Sequence, residues 1–278
     1  MVEQGVESQS AGTCTVSRLG VGDEARWDAF VENEPKATFF HLVAWRGIIE
    51  RELGHRCHYL YAQRDGAITG VLPLAEIRSR LFGHALISTP FCVYGGVVAN
   101  DPESAAQLTQ TATALAEELR VGYLELRDRE LSNPDWPIKE LYVTFSKPIH
   151  PNEDQNWQAL SAKRRNKIRK GIDSGLQAHH DGSIREFYRV YAESVRNLGT
   201  PVLSRNYYMQ LKQAFGDSWE ITVITHEGRP VATAMSFYFR DQVHSYYAGS
   251  VRRGRDFAVN DFMYWALMQR ARERGARV

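Results

Sequence analysis

Glu220-Ile-Thr-Val-Ile-Thr-His-Glu-Gly228-Arg-Pro-Val-Ala-Thr-Ala-Met-Ser-Phe237 is the stretch that decides the fold. Two apolar runs flank an acidic-Gly pair, which reads as a β-hairpin. The first half holds a counterpart: His58-Tyr-Leu-Tyr-Ala-Gln-Arg-Asp-Gly66-Ala-Ile-Thr-Gly-Val-Leu-Pro-Leu74. The likeness continues downstream. Tyr94-Gly95-Gly96 closes one strand stretch and Tyr247-Ala-Gly-Ser250 closes the other. Each is followed by a helical pattern. Leu108, Ala112, Leu115 and Leu119 mark residues 102–119, with Asp101 as cap and Pro102 in the first turn. Phe262, Trp265, Ala266 and Met268 mark residues 257–274. Gly122 then leads into the strand Tyr123-Leu-Glu-Leu-Arg127, whereas Gly275 leads only into Ala-Arg-Val278. The chain therefore reads as a duplicated α/β unit, and the repeat predicts that the last strand or strands of the second unit are missing after Val278.

Working outward, residues 1–13 are small and polar and are expected to be disordered. Residues 14–150 form the first unit and 151–278 the second. Helices are expected over 24–33, 41–52, 155–174, 183–198 and 205–215. Strands are expected over 57–63, 68–77, 85–88, 92–99, 122–127, 141–146, 219–225, 230–239 and 242–249. Hairpins plus a strand–helix–strand crossover make mixed sheets with helices on their faces.

Composition narrows the function. Thirty-four Lys and Arg against 33 Asp and Glu give a net charge of +1. No global basic field holds a long nucleic acid, so DNA binding is not expected and any polyanion must meet a local patch. Three scattered cysteines, without CxxC or a Cys/His cluster, favour neither disulfides nor zinc, and no metal is expected. No secretory signal and no spanning apolar run is present, which points to a cytoplasmic protein. No nucleophile elbow, P-loop, HExxH or dinucleotide fingerprint occurs.

Three constellations carry chemistry. Lys163-Arg-Arg-Asn-Lys-Ile-Arg-Lys170 puts six cations on one helix. Arg165, Lys167 and Arg169 are its candidate phosphate ligands; the alternative is a solvated face. Tyr247 ends a strand, and Asn260 and Tyr264 lie four apart on the next helix. A tyrosine can act as general acid to a leaving group and an amide can orient an acceptor amine; the alternative is a satisfied aromatic core. Between them, Arg253-Gly254-Arg255-Asp256-Phe257-Ala258 stands where N-acetyltransferases carry R/Q-x-x-G-x-G/A around the coenzyme A pyrophosphate. Arg253, Gly254 and Ala258 are the candidate cofactor contacts, but Asp256 replaces the central glycine with a carboxylate.

The segment Phe39-Phe-His-Leu-Val-Ala-Trp45, the basic 163–170 run, Tyr247-Ala-Gly-Ser250 and Asn260-Asp-Phe-Met-Tyr-Trp265 together resemble the Fem-type (FemAB-like) aminoacyltransferase superfamily. More narrowly they resemble its branch associated with exosortase/PEP-CTERM exopolysaccharide clusters. The resemblance covers about residues 16–278. It implies two N-acetyltransferase-like (GNAT) units and amino-acid transfer from aminoacyl-tRNA to an amine of a cell-wall peptide precursor. It carries Tyr247 over as a substrate-contacting tyrosine, Arg205 and Tyr208 as a phosphate-holding pair spaced one residue short, and Arg46 as a basic contact from the first unit. The long helical arm of tRNA-using members is not evident. The expected activity is N-acyl or aminoacyl transfer to an amine of a nucleotide- or lipid-linked saccharide or peptide precursor. It requires no bound cofactor, takes its donor from aminoacyl-tRNA, whose acceptor stem is then a partner, or from acyl-coenzyme A, and sits in the cytoplasm or at the inner membrane face. The alternatives are an acyl-coenzyme A-dependent enzyme of the same fold and a non-catalytic scaffold of polysaccharide assembly.

Overall fold

The computed structural model describes residues 12–81, 83–130 and 132–278. Of the expected disordered stretch 1–13, residues 1–11 lie outside the described residues. The chain forms two compact units, Met1–Pro137 and Ile138–Val278.

In the first unit the elements run β1 (Thr15–Arg18), α1 (Glu24–Asn33), a 3-10 turn (Phe39–His41), α2 (Ala44–Leu53), β2 (Arg56–Arg64), β3 (Ala67–Ser79), β4 (Gly83–Ser88), β5 (Val98–Ala99), α3 (Pro102–Glu118) and β6 (Tyr123–Glu125). The sheet order is β1-β2-β3-β4-β6, with β5 beside β3. All pairs are antiparallel except β4 with β6, which the α3 crossover makes parallel. The apolar stripe of α3, Leu108, Ala112 and Leu115, packs on Leu60, Leu72, Leu74 and Leu86. Each such leucine contributes about 1.5–3 kcal/mol by leaving water.

The second unit runs α4 (Glu153–Gln158), α5 (Ala162–Asp173), β7 (Gln177–His179), α6 (Ile184–Asn197), α7 (Arg205–Phe215), β8 (Trp219–His226), β9 (Arg229–Phe239), β10 (Gln242–Ser250), a 3-10 loop (Arg252–Phe257) and α8 (Val259–Glu273). Its sheet, β10-β9-β8-β7, is antiparallel throughout. Val259, Phe262, Met263, Ala266 and Leu267 of α8 cover Ile224, Val231, Ala232 and Ala234.

The duplication reaches into backbone detail. Both hairpins turn on two residues with positive φ, Asp65 and Gly66 at 51° and 81°, Glu227 and Gly228 at 50° and 70°. That is the turn whose twist suits a two-residue hairpin. Both carry a bulge just before the turn, at Ala62/Gln63 and Ile224/Thr225.

Several elements differ from expectation. The helix expected over 155–174 is two, because Ser161 leaves helical geometry and caps α5 through the Arg164 N–H. The strand expected over 92–99 shrinks to Val98–Ala99. Gly95 and Gly96 instead turn both N–H groups onto the Arg127 carbonyl. Residues 141–146 form no strand among the described residues. Short β1 and β7 carried too little alternation to be read.

Candidate active site

The half-buried ring of Tyr247 lies where β10 is irregular. The register between β10 and β9 shifts between Ser245 and Tyr247, so Tyr246 is the extra residue of a bulge. Such a bulge re-aims side chains. Tyr247 packs edge-on against Tyr191 of α6 at 5.8 Å and Tyr208 of α7 at 5.4 Å. Its hydroxyl lies 2.9 Å from the hydroxyl of Tyr207. Gly249 lets α6 approach this strand: a Cβ there would stand 2.6 Å from Ser194 Cβ, and Ser194 Oγ accepts the Ser250 N–H at 3.2 Å.

Tyr207 and Tyr208 are each 1% exposed, on a helix capped by Ser204. Burial pushes the Tyr208 hydroxyl far above the ordinary tyrosine range, and that of Tyr191 upward as well. These phenols are neutral donors and acceptors rather than bases. Tyr208 thus backs Tyr247 from within, while Arg205, one turn earlier, is exposed.

The basic helix divides. Arg164 donates to the Asp261 carboxylate, and Lys167 lies 3.5 Å from it. Arg165 donates to the Leu160 carbonyl at 2.6 Å, tying the α4–α5 junction. Arg169 lies 5.3 Å above Trp157, which meets Trp265 of α8 edge-on at 5.0 Å. Arg165 and Arg169 therefore help hold helices together; Lys163, Arg164, Lys167, Arg169 and Lys170 are exposed and Arg165 is half-buried. Gly171 allows this packing, since a Cβ would stand 2.9 Å from Phe262 Cβ. Asn260 and Tyr264 stand on the exposed side of α8, the latter 53% exposed. The structure does not gather them into the tyrosine cluster.

The 252–257 loop closes on itself. The Gly254 N–H goes to the Val251 carbonyl and the Ala258 N–H to Arg255. Arg253 donates to the Pro230 carbonyl at 2.9 Å. Gly254 is required because a Cβ would meet Val259 Cγ1 at 2.9 Å. Asp256 is exposed. Ala258 adopts the left-handed conformation (φ 53°) and supplies no side-chain cap to α8. Arg46 belongs to the first unit, where its Nε lies 3.5 Å from Glu50 on α2.

Tyr207 and Tyr191 were absent from the sequence-predicted set. The signal was present as tyrosines at 188, 191, 207 and 208, at helical spacing on two neighbouring helices.

Residues 162–278 match the family model described as acetyltransferase (GNAT) domain. The match falls within the second unit. Among solved structures, a FemX crystal structure superposes with TM-score 0.69 at 14% identity, over 94% of this chain and 87% of that one. The C-terminal domain (DUF2156) of a putative lysylphosphatidylglycerol synthetase from Agrobacterium fabrum follows with TM-score 0.51 at 13% identity, covering 92% and 76%. A tandem GNAT protein from the clavulanic acid biosynthesis pathway gives TM-score 0.50 at 12% identity, covering 95% and 88%. No curated protein matches. The chain shares with these structures a duplicated GNAT-like fold, and its second unit resembles an acetyltransferase domain. Among the described residues no helix is long and apolar enough to cross a membrane.

Proposed function

We propose that this chain transfers an acyl or aminoacyl group to an amine of a nucleotide- or lipid-linked saccharide or peptide precursor, in cell-wall or exopolysaccharide synthesis. The observation that carries the reading is the Tyr207–Tyr247 hydroxyl pair, 2.9 Å apart, which joins α7 to the bulged strand β10 of the second unit. In the reaction the amine nitrogen bonds to the donor carbonyl carbon and the carbon–heteroatom bond to the leaving group breaks. One proton passes from the ammonium to the leaving atom. The Tyr247 hydroxyl gives its proton to the leaving atom and is restored by the proton that the ammonium releases, while the Tyr207 hydroxyl holds it in place by hydrogen bonding. Holding donor and acceptor together removes up to ~7–11 kcal/mol of barrier.

Phosphates of donor or acceptor suit the exposed cations Lys163, Arg164, Lys167 and Arg205. The donor favoured is an aminoacyl ester on tRNA. In the 252–257 loop two backbone N–H groups are spent internally and Asp256 adds a carboxylate, both unfavourable to a coenzyme A pyrophosphate. The uncapped first turn of α8 supports the acyl-coenzyme A reading instead.

The test follows radiolabel from aminoacyl-tRNA and from acetyl-coenzyme A onto nucleotide-linked amino sugars and peptides. Tyr247→Phe is expected to lower kcat/KM by roughly 10²–10⁴-fold. Transfer from acetyl-coenzyme A alone reverses the choice of donor. Full transfer by Tyr247→Phe removes the hydroxyl pair from the chemistry.

A further inference from the structure

In the second unit a groove runs between α6 and the connection that leads to α7. Its volume is about 460 Å³, within the ~300–1,000 Å³ of small-molecule sites. One wall is α6, through Arg189, Ala192, Glu193 and Arg196; the other is the loop Thr200, Pro201 and Val202. Gly199 ends α6 in the left-handed region (φ 76°), and the Thr200 N–H returns to the Val195 carbonyl at 3.0 Å. Pro201 fixes the next φ. The second wall is thus set by local sequence and stands without a ligand. On the other side of α6, Phe187 and Val190 are buried and Tyr191 and Ser194 meet β10. The groove therefore lies across the helix from Tyr247.

The three charges that line it do not pair with one another. Arg189 and Glu193 are four apart and Glu193 and Arg196 three apart, spacings at which opposite charges on a helix ordinarily meet. No ion pair or side-chain hydrogen bond is made by any of the three among the described residues. Glu186, whose carboxyl Arg189 helps to lower from a distance, is already held by the Ser183 cap at 2.7 Å. The groove thus presents cation, carboxylate and cation along about 10 Å of helix. Ala192, Pro201 and Val202 supply apolar surface between and opposite them.

We infer that this groove binds a free amino dicarboxylic acid of the glutamate class. Such a molecule carries two carboxylates, one ammonium and a short methylene stem. The carboxylates take the Arg189 and Arg196 guanidinium groups, whose planar forks match a carboxylate in two parallel hydrogen bonds. The ammonium takes Glu193, and the stem lies on Ala192, Pro201 and Val202. Two arginines and one glutamate in the lining are answered by the opposite charge pattern in the ligand. A simple anion would leave Glu193 facing like charge, and a simple amine would leave both arginines unanswered.

This inference is independent of the transfer reaction and is tested without it. The full chain is titrated calorimetrically with racemic glutamate and with N-acetylglutamate, which keeps both carboxylates and lacks the ammonium. Glutamate is expected to bind with a dissociation constant of about 1 mM or tighter, and N-acetylglutamate about tenfold more weakly. Glu193→Gln is expected to abolish that preference, and Arg196→Ala to weaken both ligands about tenfold. Thermal midpoints should stay unchanged, because neither side chain has a partner in the free protein. No binding of glutamate up to about 10 mM overturns the inference. Equal affinity of the wild type for both ligands also overturns it, leaving an anion patch only. Glutamate binding that both variants retain in full places the ligand elsewhere and overturns it as well.

Discussion

Replacing Glu220 by Ala should unfasten α8 from the sheet of the second unit. Glu220 is 7% exposed on β8. Its Oε1 accepts Arg270 Nε at 2.9 Å and Nη2 at 2.7 Å, with Arg274 Nη1 at 3.5 Å. Its Oε2 accepts the Tyr238 hydroxyl of β9 at 3.2 Å. Arg274 also lies 3.9 Å over the Tyr238 ring and donates to the Asp217 carbonyl. One carboxylate therefore joins two strands to the last turns of α8. Breaking a fully buried ion pair costs about 3–5 kcal/mol, because a charge is left without a partner. Here the arginine side chains are 33% and 27% exposed, so water recovers part of that loss. About 2–4 kcal/mol is the expected cost, counting the charge-assisted hydrogen bonds. For a unit of this size that lowers the thermal midpoint by roughly 6–15 °C. Glu220→Gln, which retains one acceptor, should lose about half as much. Circular dichroism melts and urea titrations of the full chain give the answer. A Glu220→Ala protein within about 0.5 kcal/mol of wild type refutes the clamp.

Asp28 is expected to be a liability at neutral pH. Burial raises its carboxyl from 3.8 to about 6, although its Oδ1 accepts the Val43 N–H at 2.8 Å. The folded state prefers the protonated acid, so stability falls as pH rises through that window. The shift bounds the effect at ~3 kcal/mol, and solvent screening of a half-buried group reduces it to about 1 kcal/mol. Asp28→Asn, which keeps the acceptor, should raise the midpoint at pH 7 and not at pH 4; an unchanged midpoint at pH 7 refutes this. The first unit carries an opposite, acid-sensitive cluster. Glu76 is shared by His58 at 3.3 Å and His84 at 2.8 Å, with Arg78 at 3.2 Å. Burial lowers the His58 pKa below 6.5 despite Glu76, aided by Arg56 and Arg18, while the hydrogen bonds from His84 and His58 lower Glu76 against its own burial. Both shifts mean that the unfolded chain binds protons first. Stability should fall below about pH 6.5, first through His58 and then through Glu76. His58→Gln should flatten the upper part of that decline; an unaltered slope between pH 7.5 and 5.5 assigns it elsewhere.

The sequence alone was enough for the duplicated hairpins, the Asp101-capped helix and the duplicated α/β plan. Each of these is written in neighbouring residues: an acidic-Gly pair between two apolar runs, and Asp101 followed by Pro102 at the start of a helical pattern. The Fem-type resemblance rested on similarly local stretches. Tertiary structure decided the rest. It placed Tyr207 against Tyr247, 40 residues away, and Asp261 against Arg164, 97 away. It also put Arg165 and Arg169 to work holding helices, and left residues 141–146 out of both sheets among the described residues. Local propensity names an element's type, but a strand exists only where another backbone accepts its hydrogen bonds. A polar side chain becomes a site only where distant chain segments bring it a partner and control its exposure to water.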